Sequence, residues 1–224
     1  MFIGHFAPAF VAAAVSPRAP RLGTLFVAAQ LVDWGFFALA MIGVERMQID
    51  PEATVMVPFD LYHMPFTHSL LGTAGWALAF LLVIAIGRRD WACGFVGGLV
   101  VLSHWVLDWL THSPDLTIAG GEQTYGLGLW NYPVIAMPLE IGITVAALVF
   151  YVKRTRGPIG PPLVLIGAML VLQAVNWFAP PPQEVSMFFY AQALIAFAIL
   201  TVIAAWVGEN RWFVRRGGLA ARSG

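Results

Sequence analysis

Apolar positions in this chain fall in long, nearly unbroken runs, not in the alternating or three-to-four spacing of soluble domains. Six runs reach the roughly 20 residues that a helix needs to cross about 30 Å of hydrocarbon. They are residues 22–45, 64–87, 91–111, 133–152, 158–178 and 187–208. Lipid offers no partner to open backbone groups, so each run is predicted to be a helix. The pattern therefore predicts an all-α polytopic membrane protein with about six transmembrane helices, one domain over residues 1–224. A shorter apolar stretch, 2–17, is predicted to be a short N-terminal helix that crosses or re-enters. It has no positive leading region, and His5 and Pro8 interrupt it, so it reads as retained and not as a signal peptide.

Composition agrees: 59% of residues are hydrophobic and 11% charged, against about 25% charged in soluble domains. Mean hydropathy is +0.78. Net charge is zero, which gives no reason to invoke nucleic acid, and the single Cys93 excludes a disulfide framework or a cysteine-based zinc site. Charge placement sets an expected orientation. Arg18, Arg21, Arg88, Arg89, Lys153, Arg154, Arg156, Arg211, Arg215, Arg216 and Arg222 flank the runs on one side, and only Arg46 falls on the other. By the excess of basic residues in cytoplasmic loops, that side and the C-terminus are expected in the cytoplasm, with the protein in the plasma or inner membrane. The opposite loops carry Asp50, Glu52, Asp60, Asp115, Glu122 and Glu184.

Ionisable residues inside the runs are the chemical signal, because such groups are expensive in a membrane and mark functional sites. All five histidines lie in the first half: His5, His63, His68, His104 and His112. Asp33, Asp108 and Glu140 accompany them within spans. His104, Asp108 and His112 recur every four residues and so share one helical stripe. At 1.5 Å per residue, Asp108 lies about 6 Å and His104 about 12 Å below His112, and His68 and Glu140 enter to similar depth. A shared cation site is expected there, since zinc accepts imidazole nitrogen and carboxylate oxygen alike.

Plainer roles stand beside this. His63 in the YHMP stretch serves equally well as a helix-bridging imidazole, Asp33 as a partner of Gln30, and Glu140 as a structural acid. Trp105 and Trp109 read as packing, and Trp91, Trp130, Trp177 and Trp212 as interfacial anchors. Gln173 and Asn176 read as bridges between helices, residues 158–208 as scaffold, and Pro180–Pro182 as a stiff external turn. The loop 113–133 reads either as a substrate-facing lid, through Asp115, Trp130 and Asn131, or as a plain connection.

The segments GHF, LVD, FTHSLL and LSHWVLDWLTHSPD resemble the YdjM/DUF457 family of membrane-bound metal-dependent hydrolases, over residues 3–140. The resemblance implies that the family's positions fall on His5, Asp33, His68, His104 and Asp108, with His112 extending the last motif. The family's Pro-Asp-x-Asp element stands here as Val32-Asp33-Trp34-Gly35, with one acid only; Glu140 and His63 are available to replace the other. The His-x-x-x-Asp spacing is also similar to helical sites of zinc-dependent phospholipases C and nucleases.

Three functions remain open from the sequence. The leading one is a metal-dependent hydrolase on the non-cytoplasmic side, holding a divalent ion, zinc above all. Its ligands would be His68, His104, Asp108 and Asp33, with His5 and His112 as ligands or proton carriers and Glu140 as general base. Its substrate would be a phosphoester of a membrane lipid or another amphiphile. The alternative is a transporter or proton/metal conduit using the same buried residues, although no inverted repeat is visible. The third is a haem-bearing electron carrier, for which Asp108 between two histidines is a poor companion. No HExxH helix is present.

Overall fold

The computed structural model describes residues 1–180 and 182–213; Pro181 and the tail with Arg215, Arg216 and Arg222 lie outside the described residues. A 3-10 turn, Ile3–Phe6, leads into α1 (Ala7–Val15). Then come α2 (Leu22–Ala29), α3 (Leu31–Met41), α4 (Leu70–Arg88), α5 (Trp91–Thr111), α6 (Pro133–Arg154), α7 (Gly160–Phe178) and α8 (Met187–Asn210). Five of these, α4 to α8, are long and apolar enough to span a membrane, and α2 and α3 meet the same criterion only taken together, as a sharply bent pair. This is the architecture of a multi-pass membrane protein.

Tight local chemistry fixes the α4–α5 hairpin. Arg89 sits in the left-handed region at the end of α4, and Asp90 Oδ1 accepts from the amides of Ala92 and Cys93, capping α5. Gly94 lets the two backbones meet, because a Cβ there would collide with Leu81 and Ala85 of α4.

Three features depart from the expected helices. The run 22–45 is not one rod: it bends by 53° between α2 and α3, at Gln30. The run expected from 64 starts only at Leu70. Pro65 disfavours a helical Met64, and Ser69 caps α4 by accepting from the Gly72 amide at 2.9 Å. His68 therefore arrives on a non-helical segment. Finally, residues 46–63 form a hairpin, β1 (Arg46–Ile49) with β2 (Phe59–His63), in register Arg46 with His63 and Gln48 with Asp60.

At the far end, β3 (Thr155–Arg156) pairs with β4 (Trp212–Phe213). Arg211 locks this corner by donating to the carbonyls of Val152, Thr155, Gly157 and Pro158 and to Thr155 Oγ1. Burial pushes its guanidinium below the ordinary value, and these acceptors replace the lost water. Arg18, Arg21, Arg88 and Arg211 line one cavity here, so the basic residues gather at a single end of the bundle.

The core lies between the two ends. Phe6 stacks on Phe26 with centroids 4.4 Å apart, and Phe10 meets Phe26 edge-on at 5.2 Å. Ile3, Phe6, Ala9, Phe10 and Ala14 are all fully buried, so α1 is an interior helix. The turn and α1 together span Ile3–Val15, about 20 Å at 1.5 Å per residue, less than the hydrocarbon thickness. One end stands beside the basic corner, where Arg154 Nε donates to the Ala14 carbonyl. The other end stops inside the bundle and carries His5.

Candidate metal centre

Four of the five histidines and two aspartates meet at one point. Asp108, on α5, stands at its middle, with each carboxylate oxygen facing a different pair of imidazoles. Oδ1 lies 3.0 Å from His5 Nε2 and 3.4 Å from His112 Nε2. Oδ2 lies 3.0 Å from His104 Nε2 and 3.7 Å from His68 Nε2. Asp33 Oδ1, in the first turn of α3, is 3.2 Å from His68 Nε2 and 3.5 Å from His104 Nε2. The Met1 amino nitrogen is also 3.1 Å from Asp108 Oδ1. Two overlapping groups, His5/His104/Asp108 and Asp33/His68/His104, each bring their ligand atoms within 4.8 Å of one another.

The backs of three imidazoles are held by groups that accept protons. His104 Nδ1 is 2.8 Å from the Ala29 carbonyl oxygen. His68 Nδ1 is 2.9 Å from Thr67 Oγ1, whose own proton goes to Glu45 Oε2 at 2.6 Å. His112 Nδ1 is 2.9 Å from Asp115 Oδ1. A carbonyl, a carboxylate and a hydroxyl already committed as a donor can only accept here, so each Nδ1 bears the hydrogen. When these imidazoles are neutral, every Nε2 lone pair then points at a carboxylate oxygen.

Acceptors facing acceptors in a dry place are unfavourable unless shared protons or a metal cation lie between them. His104 Nε2, Asp108 Oδ2 and both ring nitrogens of His5 are buried with no hydrogen-bond partner of acceptable angle among the described residues. His5 lies flat on His104, with centroids 3.7 Å apart and planes within 6°, which opposes both rings being charged together. The donor set is nitrogen and oxygen only, as divalent zinc and its neighbours accept. The residues fit a metal ion.

Local folding explains how each ligand is aimed. Breaking the first long span frees the Ala29 carbonyl for His104 and puts Asp33 in the first turn of α3, where the helix dipole favours an anion. Gln30 Nε2 holds Asp33 Oδ2 at 2.8 Å. Glu45 Oε1 accepts from the amides of Phe66 and Thr67, and Trp105 Nε1 donates to the His68 carbonyl. The non-helical stretch before α4 is thus pinned at both edges. Gly126 supports His112 from the loop: at φ +158°, it lies where a Cβ would collide with the carbonyls of Ser113 and His112.

The other expected residues separate into distinct places. Glu140 is buried, and its Oε1 accepts from the amides of Phe2 (2.6 Å) and Gly4 (3.1 Å), while Gln173 donates to its Oε2 at 3.5 Å. Trp130 covers His112 with centroids 4.2 Å apart. Asn131 accepts from the Val55 amide, tying the loop to the β1–β2 connection. His63 is exposed on β2 beside Arg46 and joins neither group of potential ligands, so it does not replace the missing acid. Sequence reasoning passed over Glu45 and Thr67. Thr67 stands beside His68 in FTHSLL, but Glu45 is 22 residues away and carries no local pattern.

A cavity of about 510 Å³ opens from the cluster. Asp33, His68, Asp108, His112 and Glu140 lie on its polar wall, and the remaining walls are largely apolar. Comparison of the chain with known family models, with curated proteins and with solved structures finds no match.

Proposed function

We propose that this protein is a membrane-embedded, metal-dependent hydrolase, as the YdjM/DUF457 resemblance implies, and that its substrate is a phosphoester of a lipid or another amphiphile, since the site opens toward headgroups. The observation that carries the reading is the convergence of four imidazole Nε2 atoms on Asp33 and Asp108, with three rings held from behind. Carboxylate or carbonyl contacts behind metal-binding imidazoles are a recurrent device for fixing tautomer and aim.

His68, His104, Asp108 and Asp33 would hold the ion, zinc being the best match to the donors, with His5 completing the set. A divalent cation bound there supplies Lewis acidity, polarising the phosphoryl group and acidifying water. Hydrolysis forms a bond from water oxygen to phosphorus and breaks the ester P–O bond. One proton must leave the water and one must reach the departing alcohol. Of the two imidazoles assigned either role, His112 lines the cavity and is the one placed to carry a proton, while His5 serves as a ligand. Glu140 holds the turn that bears His5, which makes it a positioning residue in this reading.

A conduit would need polar groups continuing towards the basic end. Instead, Phe6, Phe10, Phe26 and Val101 fill that path, fully buried. The test is hydrolysis of phosphodiester probes by purified protein: activity should require a divalent ion, vanish on chelation, and return when the ion is restored. Ion flux in vesicles without hydrolysis would replace this reading with transport.

A further inference from the structure

The cavity beside the cluster has a side that faces lipid. One face of α8 lines it through Phe189, Ala193, Ala196 and Ile199, at the three-to-four spacing of a helical stripe. Phe36 and Phe37 of α3 and Leu172 and Val175 of α7 line it as well. Val175, Ile195 and Ile199 belong to this lining and are 56%, 58% and 44% exposed, on helices of transmembrane length. Exposed apolar surface at that depth meets hydrocarbon and not water. The same space therefore touches the buried carboxylates on one side and the bilayer on the other.

Its dimensions suit one chain. Ile199 lies 12 residues beyond the start of α8 at Met187, about 18 Å along the axis. That is close to the thickness of one leaflet's hydrocarbon, about 15 Å. Ala193 and Ala196 leave the room, while Phe189, Phe37 and Phe197 frame it, Phe37 meeting Phe197 at 5.9 Å and Phe189 at 6.2 Å. Polar lining is concentrated towards the end near the cluster: Asn176 is two residues from the end of α7, and Gln192 five from the start of α8. The volume falls within the range of small-ligand sites.

We infer that this cleft seats one hydrocarbon chain of the amphiphile, which enters sideways from the leaflet at the cluster's end and delivers its head to the His/Asp centre. The substrate class is thus a lipid whose scissile phosphoester lies next to a single docked chain. The inference rests on the hydrolase reading for the fate of the head, but not for the seating of the chain.

The experiment uses the full-length protein in phospholipid nanodiscs. A long-chain phosphodiester with a diazirine in mid-chain is photolysed, and the labelled peptides are identified. The same preparations are assayed for hydrolysis of that ester and of bis(p-nitrophenyl) phosphate. Label should concentrate on residues 172–199. Ala196→Trp should lower that label, and the ratio of long-chain to water-soluble turnover, about tenfold, with metal content retained. Ala193→Ile, a smaller intrusion, should give a smaller fall in both. Label spread evenly over the outer faces of all spanning helices, or a turnover ratio unmoved in a folded variant, would overturn the inference. Label confined to the cleft and lowered by Ala196→Trp, with neither ester hydrolysed, would leave the chain seat standing and remove the hydrolase reading.

Discussion

His104 Nδ1 rests 2.8 Å from the carbonyl oxygen of Ala29, the group released where the first long span breaks. Ala29 would not do this in a straight helix, because its carbonyl would accept from the amide four residues on. The break thus aims a ligand on a different helix. It also sets Asp33 at the start of the next segment, facing the same point. A helix defect and a charge cluster, each costly alone, relieve one another.

The Glu45–Thr67–His68 chain predicts a graded effect of substitution. Thr67→Val removes the acceptor behind His68 and leaves Glu45 without its hydroxyl partner. Metal affinity should fall roughly 10- to 100-fold, measured by competition with a chromophoric chelator in detergent. Thr67→Ser keeps the hydroxyl and should stay near the parent value. Equal losses in both would show that the hydroxyl does not orient His68.

Glu140 separates two roles. A general base would cost about 10² to 10⁴ in kcat when replaced by an amide. If it positions His5, Glu140→Gln keeps a carbonyl for the Phe2 and Gly4 amides, and kcat should fall less than tenfold with an unchanged pH profile. Glu140→Ala strands those amides, which should cost on the order of 1–3 kcal/mol of stability per unmet group. Unfolding curves and pH–rate profiles of the two variants decide between these roles.

Arg211 should matter for stability and not for metal. Its fork meets four carbonyls and a hydroxyl at the basic end, a geometry that lysine cannot reproduce. Arg211→Lys should destabilise by on the order of 2 kcal/mol and lower the midpoint of thermal unfolding in detergent. Metal content should not change. A loss of metal at equal folded fraction would tie the two ends of the bundle together in a way the packing does not suggest.

The distribution of basic residues predicts sidedness. In a Cys93→Ala background, Glu122→Cys should react with a membrane-impermeant maleimide in intact cells, and Arg156→Cys only after permeabilisation. Both positions are exposed. The reverse pattern would put the metal centre on the cytoplasmic side.

Much of this was legible in the sequence, because long apolar runs and intramembrane charges are strong local signals. The boundaries of α5, expected at 91–111, coincide with Trp91–Thr111. The stripe of His104, Asp108 and His112 converges as its four-residue spacing requires. Less visible were features set by contacts distant in sequence. Nothing in AAQLVDW marks a break, since no proline or adjacent glycine stands at Gln30, and the bend is stabilised by a histidine 75 residues away. Glu45 carries no local signal, because its partners, Phe66 and Thr67, follow a hairpin that hydropathy does not reveal. Glu140 was legible as a buried acid, but its contacts with the first residues of the chain were not.

The most direct measurement of the central claim is anomalous scattering from crystals of purified protein, recorded on either side of the absorption edge of the metal found by elemental analysis. The expected result is a peak about 2.0–2.2 Å from His104 Nε2 and an Asp108 oxygen, absent in crystals of Asp108→Asn. Well-ordered wild-type crystals grown with zinc, showing no peak among residues 5, 33, 68, 104 and 108, would contradict it.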